Sequence, residues 1–269
     1  MRRSAIAVAF LAAGIVAVHA QNNFIYKAPT PADWAALAKL PDFSGVWEVG
    51  FGPPAGGARA GGARPGGARG AAAAAPGGGR GRSGGPQLTP AAEARRKELQ
   101  AKAGNVQDSP AANCLPPGMP GIMGQPYPME FLLTPGKVTI VIEAYQQVRH
   151  IYTDGRPLPD DPDLKFHGTS IGRWDGDTLV VESSGFRDGG WLDIQGSPLT
   201  DAAKMTERWR RLNYGTIQID VTIDDPKAYT RPFTIRVHHR LMMDSKFDAE
   251  LIEFICQENN KAPQLMVGK

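Results

Sequence analysis

The chain has 269 residues and a formal charge of +3, but neither figure describes the part that can fold. Of its 32 glycines, 14 fall between positions 52 and 85, and the first 20 residues have the make-up of a leader. These two stretches carry seven arginines and no acid. Without them 23 basic residues face 27 acidic ones, a balance of −4 that excludes a basic nucleic-acid footprint on the single domain's worth of chain that remains.

Met1-Arg2-Arg3, an apolar run over 5–18 and Val18-His19-Ala20 match the charged, apolar and cleavage regions of a secretory signal peptide over 1–20. This predicts a periplasmic or secreted protein whose mature form starts near Gln21. The apolar run is shorter than the ~20 residues a spanning helix needs, so no membrane span is expected. In an exported protein the two cysteines, Cys114 and Cys256, are expected to form one disulfide. Neither has a second Cys or His at ligand spacing, and neither metal nor cofactor is expected.

Segment 21–51 should hold a short helix and the first strand. Thr30 is placed to cap, Pro31 to occupy the first turn and Asp33 to face the positive end of the helix dipole. The strand follows over 43–49. Residues 52–87 repeat Gly-Gly-Ala-Arg, have almost nothing to bury, and are expected to be a disordered insert. A second helix is predicted over 88–104, with Glu93 and Lys97 in the favourable i, i+4 order.

The β core is assigned to 105–269, with strands at 138–143, 147–153, 170–174, 178–183, 206–211, 216–223, 233–241 and 250–256. Asp175-Gly176 and Asn213-Tyr214-Gly215 mark two hairpins. Many strands with short connections predict a mainly β protein, an antiparallel up-and-down barrel rather than a sandwich. Alternation puts Ile217, Ile219, Val221 and Ile223 on one core face. On the last long strand it puts Phe233, Ile235, Val237, His239 and Leu241 inward, with His238 outward.

Gly45-Val46-Trp47 resembles the opening of lipocalin-like barrels, where a Trp closes the floor. Five further runs, in order, are Cys114-Leu115-Pro116-Pro117-Gly118-Met119-Pro120, His150 to Pro157, Ser170 to Glu182, Thr206-Glu207-Arg208, and Thr222 to Pro232. Together they resemble a widespread family of exported bacterial β-rich proteins, over roughly 42–258. The resemblance implies compartment and fold and brings no catalytic residue. It places a His where this chain has Thr169, with His167 two positions earlier.

Candidate chemistry is sparse. His150 and Tyr152 share a face with Val148 and are expected to look into the barrel, where with His239 they would bind a ligand. Glu182 is a further acid–base candidate beside His150 and Tyr152. Glu207 alternates with Trp209, and a surface ion pair with Arg208 or Arg210 is its expected role. Asp154, Asp160, Asp161 and Asp163 form an acid-rich loop and Asp224-Asp225 an acidic turn, both expected to be turn chemistry rather than calcium ligands. Two function classes follow. The first is an exported barrel that binds a small apolar or amphipathic molecule, with no nucleic-acid partner. The second is a periplasmic lyase, isomerase or hydrolase acting on such a molecule. Oligomeric state stays open.

Overall fold

The computed structural model describes residues 28–50, 86–103, 114–188, 190–192, 197–242 and 249–256. The expected leader and nearly all of the Gly-rich insert lie outside the described residues. Thr30 caps α1 (Pro31–Leu37) as the sequence predicts: its hydroxyl accepts from the Asp33 N–H, and the Asp33 carboxylate accepts from the Thr30 N–H at 2.7 Å. After β1 (Gly45–Val49), α2 (Pro90–Ala103) starts at Thr89, whose backbone N–H donates to the Ala228 carbonyl.

The remaining strands are β2 (Met129–Thr134), β3 (Lys137–Ile142), β4 (Gln147–Tyr152), β5 (Thr169–Asp175), β6 (Thr178–Ser184), the short pair β7 (Gly190–Trp191) and β8 (Pro198–Leu199), β9 (Lys204–Asn213), β10 (Thr216–Asp224) and β11 (Phe233–Leu241). Nine of them close into a lipocalin-like barrel in the order β1-β11-β10-β9-β6-β5-β4-β3-β2. Nine is odd, and strand direction cannot alternate all the way round a ring of odd number. One neighbouring pair must be parallel. It is β4 and β5, joined only through Ile151↔Ser170 and Tyr152↔Ile171, so the wholly antiparallel meander expected from the sequence is corrected at this pair. A parallel neighbour also needs a return crossover, and residues 153–168 provide it.

Strand assignments change in three places, one of them the short pair β7–β8, which was not expected. β2 was not anticipated: the adjacent Leu132 and Leu133 blur its period of two, although Met129 and Phe131 are both fully buried. Residues 250–256, expected as a strand, join no ladder. They are held by the Cys114–Cys256 disulfide, by the Ile252 N–H donating to Glu143 at 3.0 Å, and by Phe254 packing on Tyr127 and Tyr145.

Among the described residues the interior holds one contiguous cluster of buried apolar side chains. Trp47 is fully buried, its indole N–H donates to the Phe43 carbonyl at 2.9 Å, and it lies against Phe131, which in turn meets Trp209 at 5.3 Å. The Arg211 guanidinium covers Trp47 and donates to the Asp42 and Tyr214 carbonyls. Met119, Ile122 and Met123, just before β2, are also buried, and the Met123 carbonyl reaches the inward-facing His239. Ile217, Ile219, Val221 and Ile223 are buried as their alternation requires.

Candidate functional site

β4 reads Gln-Val-Arg-His-Ile-Tyr, and the face it turns inward is the opposite of the one expected. Arg149 and Ile151 are buried, whereas Val148 and His150 are exposed and Tyr152 is half-buried. His150 sits on the outer wall beside its ladder partner Thr139, with 3.3 Å between its Nδ1 and the Thr139 hydroxyl. Burial, then the Lys137 charge, lowers its pKa. The Arg156 guanidinium lies 3.8 Å above the Tyr152 ring. Glu182 is likewise on the outside and exposed. Only His239 points inward as predicted. It donates through Nε2 to the Met123 carbonyl at 2.9 Å, and burial lowers its pKa to about 4. The shared interior cavity expected for His150, Tyr152 and His239 is therefore corrected: a strand's two faces cannot both look inward, and His239 lies in packed core.

What occupies the inner face of β4 instead is an ion pair. The Arg149 guanidinium grips the Glu207 carboxylate with two bonds, Nη2 to Oε1 at 2.6 Å and Nη1 to Oε2 at 3.1 Å. The Trp209 indole N–H donates to the same carboxylate at 2.8 Å. Arg149 Nη2 also donates to the hydroxyls of Ser170 and Ser183, which lie 2.8 Å from each other. Glu207 is fully buried, so its expected surface pairing with Arg208 or Arg210 is corrected; those two meet Asp175 and Asp220 on the outer wall. Satisfying a buried carboxylate from three directions is what makes it tolerable in the core.

The polar group adjoins an opening in the wall. Because β4 and β5 pair over only two residues, the first half of β4 stands apart from residues 164–169. The notch between them has a volume of about 410 Å³. Arg149 and Ser170 reach it from the inner face, Val148, His150 and Tyr152 from the outer, and Leu164, Lys165, Phe166, His167 and Arg187 from the crossover side. Two glycines make this geometry accessible. Gly168 adopts φ +64°, and a Cβ there would lie 2.6 Å from the Ser184 carbonyl; a Cβ on Gly172 would lie 2.9 Å from Ile151, the residue that closes the seam.

Within the notch two polar atoms are buried without partners, Nε of Arg149 and Nε2 of His167. His167 is 7% exposed, and burial first, then the Arg149 charge, lowers its pKa to about 4. The ring is neutral at pH 7, and Nε2 has no protein partner among the described residues. Sequence reading missed Arg149, Ser170, Ser183, Lys165 and Arg187 and gave His167 no role. Glu207 was the available signal: Met205, Glu207 and Trp209 alternate on one face, and a carboxylate between Met and Trp calls for a buried cation from another strand.

Two of the acids expected in turn chemistry make turn contacts, Asp154 and Asp225. Asp154 binds Arg156, and Asp225 accepts from the N–H groups of Thr200, Lys227 and Ala228 and from the Thr200 hydroxyl. Among the described residues no three His, Cys, Asp or Glu side chains converge as a metal site would require, and no helix is long and apolar enough to cross a membrane. The fold and the notch define the class, a closed, mostly antiparallel lipocalin-like barrel with one splayed parallel seam. Compared with known proteins, the chain matches no family model and no curated protein.

Proposed function

We propose that this is an exported protein that binds a small amphipathic molecule in the notch between β4 and the crossover. The observation that carries the reading is the pair of unpartnered buried atoms, Arg149 Nε and His167 Nε2, in the lining of one 410 Å³ pocket. Each costs about 1–3 kcal/mol while unsatisfied, and a bound molecule or water relieves both. The volume lies within the range of small-ligand sites, and Val148, Leu164 and Phe166 give it apolar walls. His150 and Tyr152 keep a binding role here, on the outside of the wall, while His239 does not take part. Export is supported by the leader-like first 20 residues, by the disulfide and by the five-run resemblance.

The acid–base enzyme has less support. A conjugate acid near pH 4 makes His167 a weak base at neutral pH, and Glu182 stands away from the notch lining. Ligand-observed NMR with a library of small amphipathic molecules tests the binding reading. Binders should lose at least tenfold in affinity on Val148→Trp, which fills the notch from its exposed rim, while Tm moves by a degree or two. A library without a binder at millimolar concentration, or binding untouched by Val148→Trp, would overturn it.

A further inference from the structure

We infer, resting on the notch as the binding site, that its ligand is a short extended peptide that adds a strand to the free edge of β4. The register fixes which backbone groups that edge presents. The Thr153 N–H donates to the Gly136 carbonyl at 2.8 Å, and these two residues continue the β3–β4 ladder by one pair. Backbone groups alternate sides along a strand. Gln147, Arg149 and Ile151 therefore turn theirs to β3, and Val148, His150 and Tyr152 turn theirs to the β5 side. The two seam pairs, Ile151↔Ser170 and Tyr152↔Ile171, occupy both groups of Tyr152 and the carbonyl of His150. Among the described residues the amides of Val148 and His150 have no backbone partner, and neither has the Val148 carbonyl, which lies beside His167.

The crossover does not fill this edge. A β5 continued backwards would offer β4 the Phe166 carbonyl and the Gly168 N–H. The Gly168 N–H instead donates to the Lys165 carbonyl at 3.2 Å, closing a turn, and the Phe166 carbonyl accepts from the Met119 N–H at 3.2 Å. An incoming strand supplies what is missing, one carbonyl for each free amide and one N–H for the Val148 carbonyl. Three extended residues carry all three groups whichever way the chain runs. On the rim of the notch Val148 is 49% exposed and Leu164 is 55% exposed, so a peptide side chain turned outward beside Val148 meets apolar walls. The ligand is accordingly a peptide with an apolar residue at that position.

The capped tripeptides Ac-Thr-Xaa-Thr-NH2, with Val, Leu or Phe at the centre, test the assignment on the full protein by NMR and amide hydrogen exchange. In the free protein the Val148 and His150 amides should exchange at least tenfold faster than those of Arg149 and Ile151, which reach β3. At saturation with at least one of the peptides both fast amides should slow at least tenfold. The same peptides with every backbone nitrogen methylated, capped as dimethylamides, keep the carbonyls and lose the N–H groups. They should bind at least tenfold more weakly. Val148→Pro removes one free donor and no bond to β3, so it should weaken peptide binding at least tenfold while the Ile151 amide stays slow. If the peptides shift the amide signals of 164–169 without slowing Val148 and His150, or the methylated peptides bind equally well, strand addition is overturned. It is also overturned if only non-peptide amphipathic molecules bind, and in each of these cases the notch remains a binding site. If neither peptides nor those molecules shift the signals at millimolar concentration, strand addition and the notch reading fail together.

Discussion

The wall formed by β6, β9, β10 and β11 and the seam between β4 and β5 belong to one barrel but solve opposite problems. β9 and β10 register over nine residue pairs, Ile217, Ile219, Val221 and Ile223 of β10 are buried inside, and Arg210 and Arg236 both pair with Asp220 outside. The seam registers over two pairs, and on its inner side Arg149 of β4 reaches Ser170 of β5 and, across to the wall, Ser183 and Glu207. Along the wall the ladder is nearly continuous, with one irregularity at Thr216/Ile217. The seam is where an odd strand count interrupts the ladder, and the groups with chemical potential collect there. Topology, rather than any motif, chose the place.

The sharpest way to break this contrast is to remove one partner of the buried pair. Arg149→Met or Glu207→Leu alone should cost about 3–5 kcal/mol in urea unfolding, because each leaves a buried charge uncompensated. The double variant should recover much of that loss. Equal costs for the double and the sum of the singles would mean the two side chains do not act as a pair.

Acid should weaken seam and core together. His167 and His239 have pKa values lowered to about 4, against 6.5 for an unburied imidazole, chiefly by burial. The unfolded chain therefore binds protons that the fold refuses. Stability is fully present above pH 6.5 and falls as pH drops toward 4, by up to about 3 kcal/mol per histidine. Stability-against-pH curves of His167→Gln and His239→Gln should each be flatter than the parent's over that window. An unchanged slope would show that the imidazole titrates freely.

Hydrogen exchange sharpens the comparison along the backbone. Amides of the β9–β10 ladder should exchange at least tenfold more slowly than those of 164–168 at the seam, where only an isolated bridge at Lys165 must open. The smallest effect belongs to the outer wall. Arg240→Ala, which releases an exposed pair with Glu48 at 3.0 Å, should change stability by less than about 1 kcal/mol.

Much of this was legible in the chain. The capped helix at Thr30, the hairpins at Asp175-Gly176 and Asn213 to Gly215, the inward set on β10 and the inward His239 all follow from turn chemistry and a period of two. Local rules of that kind act over a few residues, and nothing in the fold opposed them there. The even cysteine count likewise anticipated the Cys114–Cys256 bond.

β4 escaped the same rules for a physical reason. Its two faces read Val148, His150, Tyr152 and Gln147, Arg149, Ile151, and judged alone the first looks more apolar. The choice was made by Glu207, 58 residues away on a strand that is not β4's neighbour, whose carboxylate needs a cation once Met205 and Trp209 have carried it inside. Burying Arg149 turns His150 and Tyr152 outward, and the odd number of staves then opens the wall beside them. Sequence determined what each strand could bury; only closure of the ring decided which face of β4 did so and where the notch would lie.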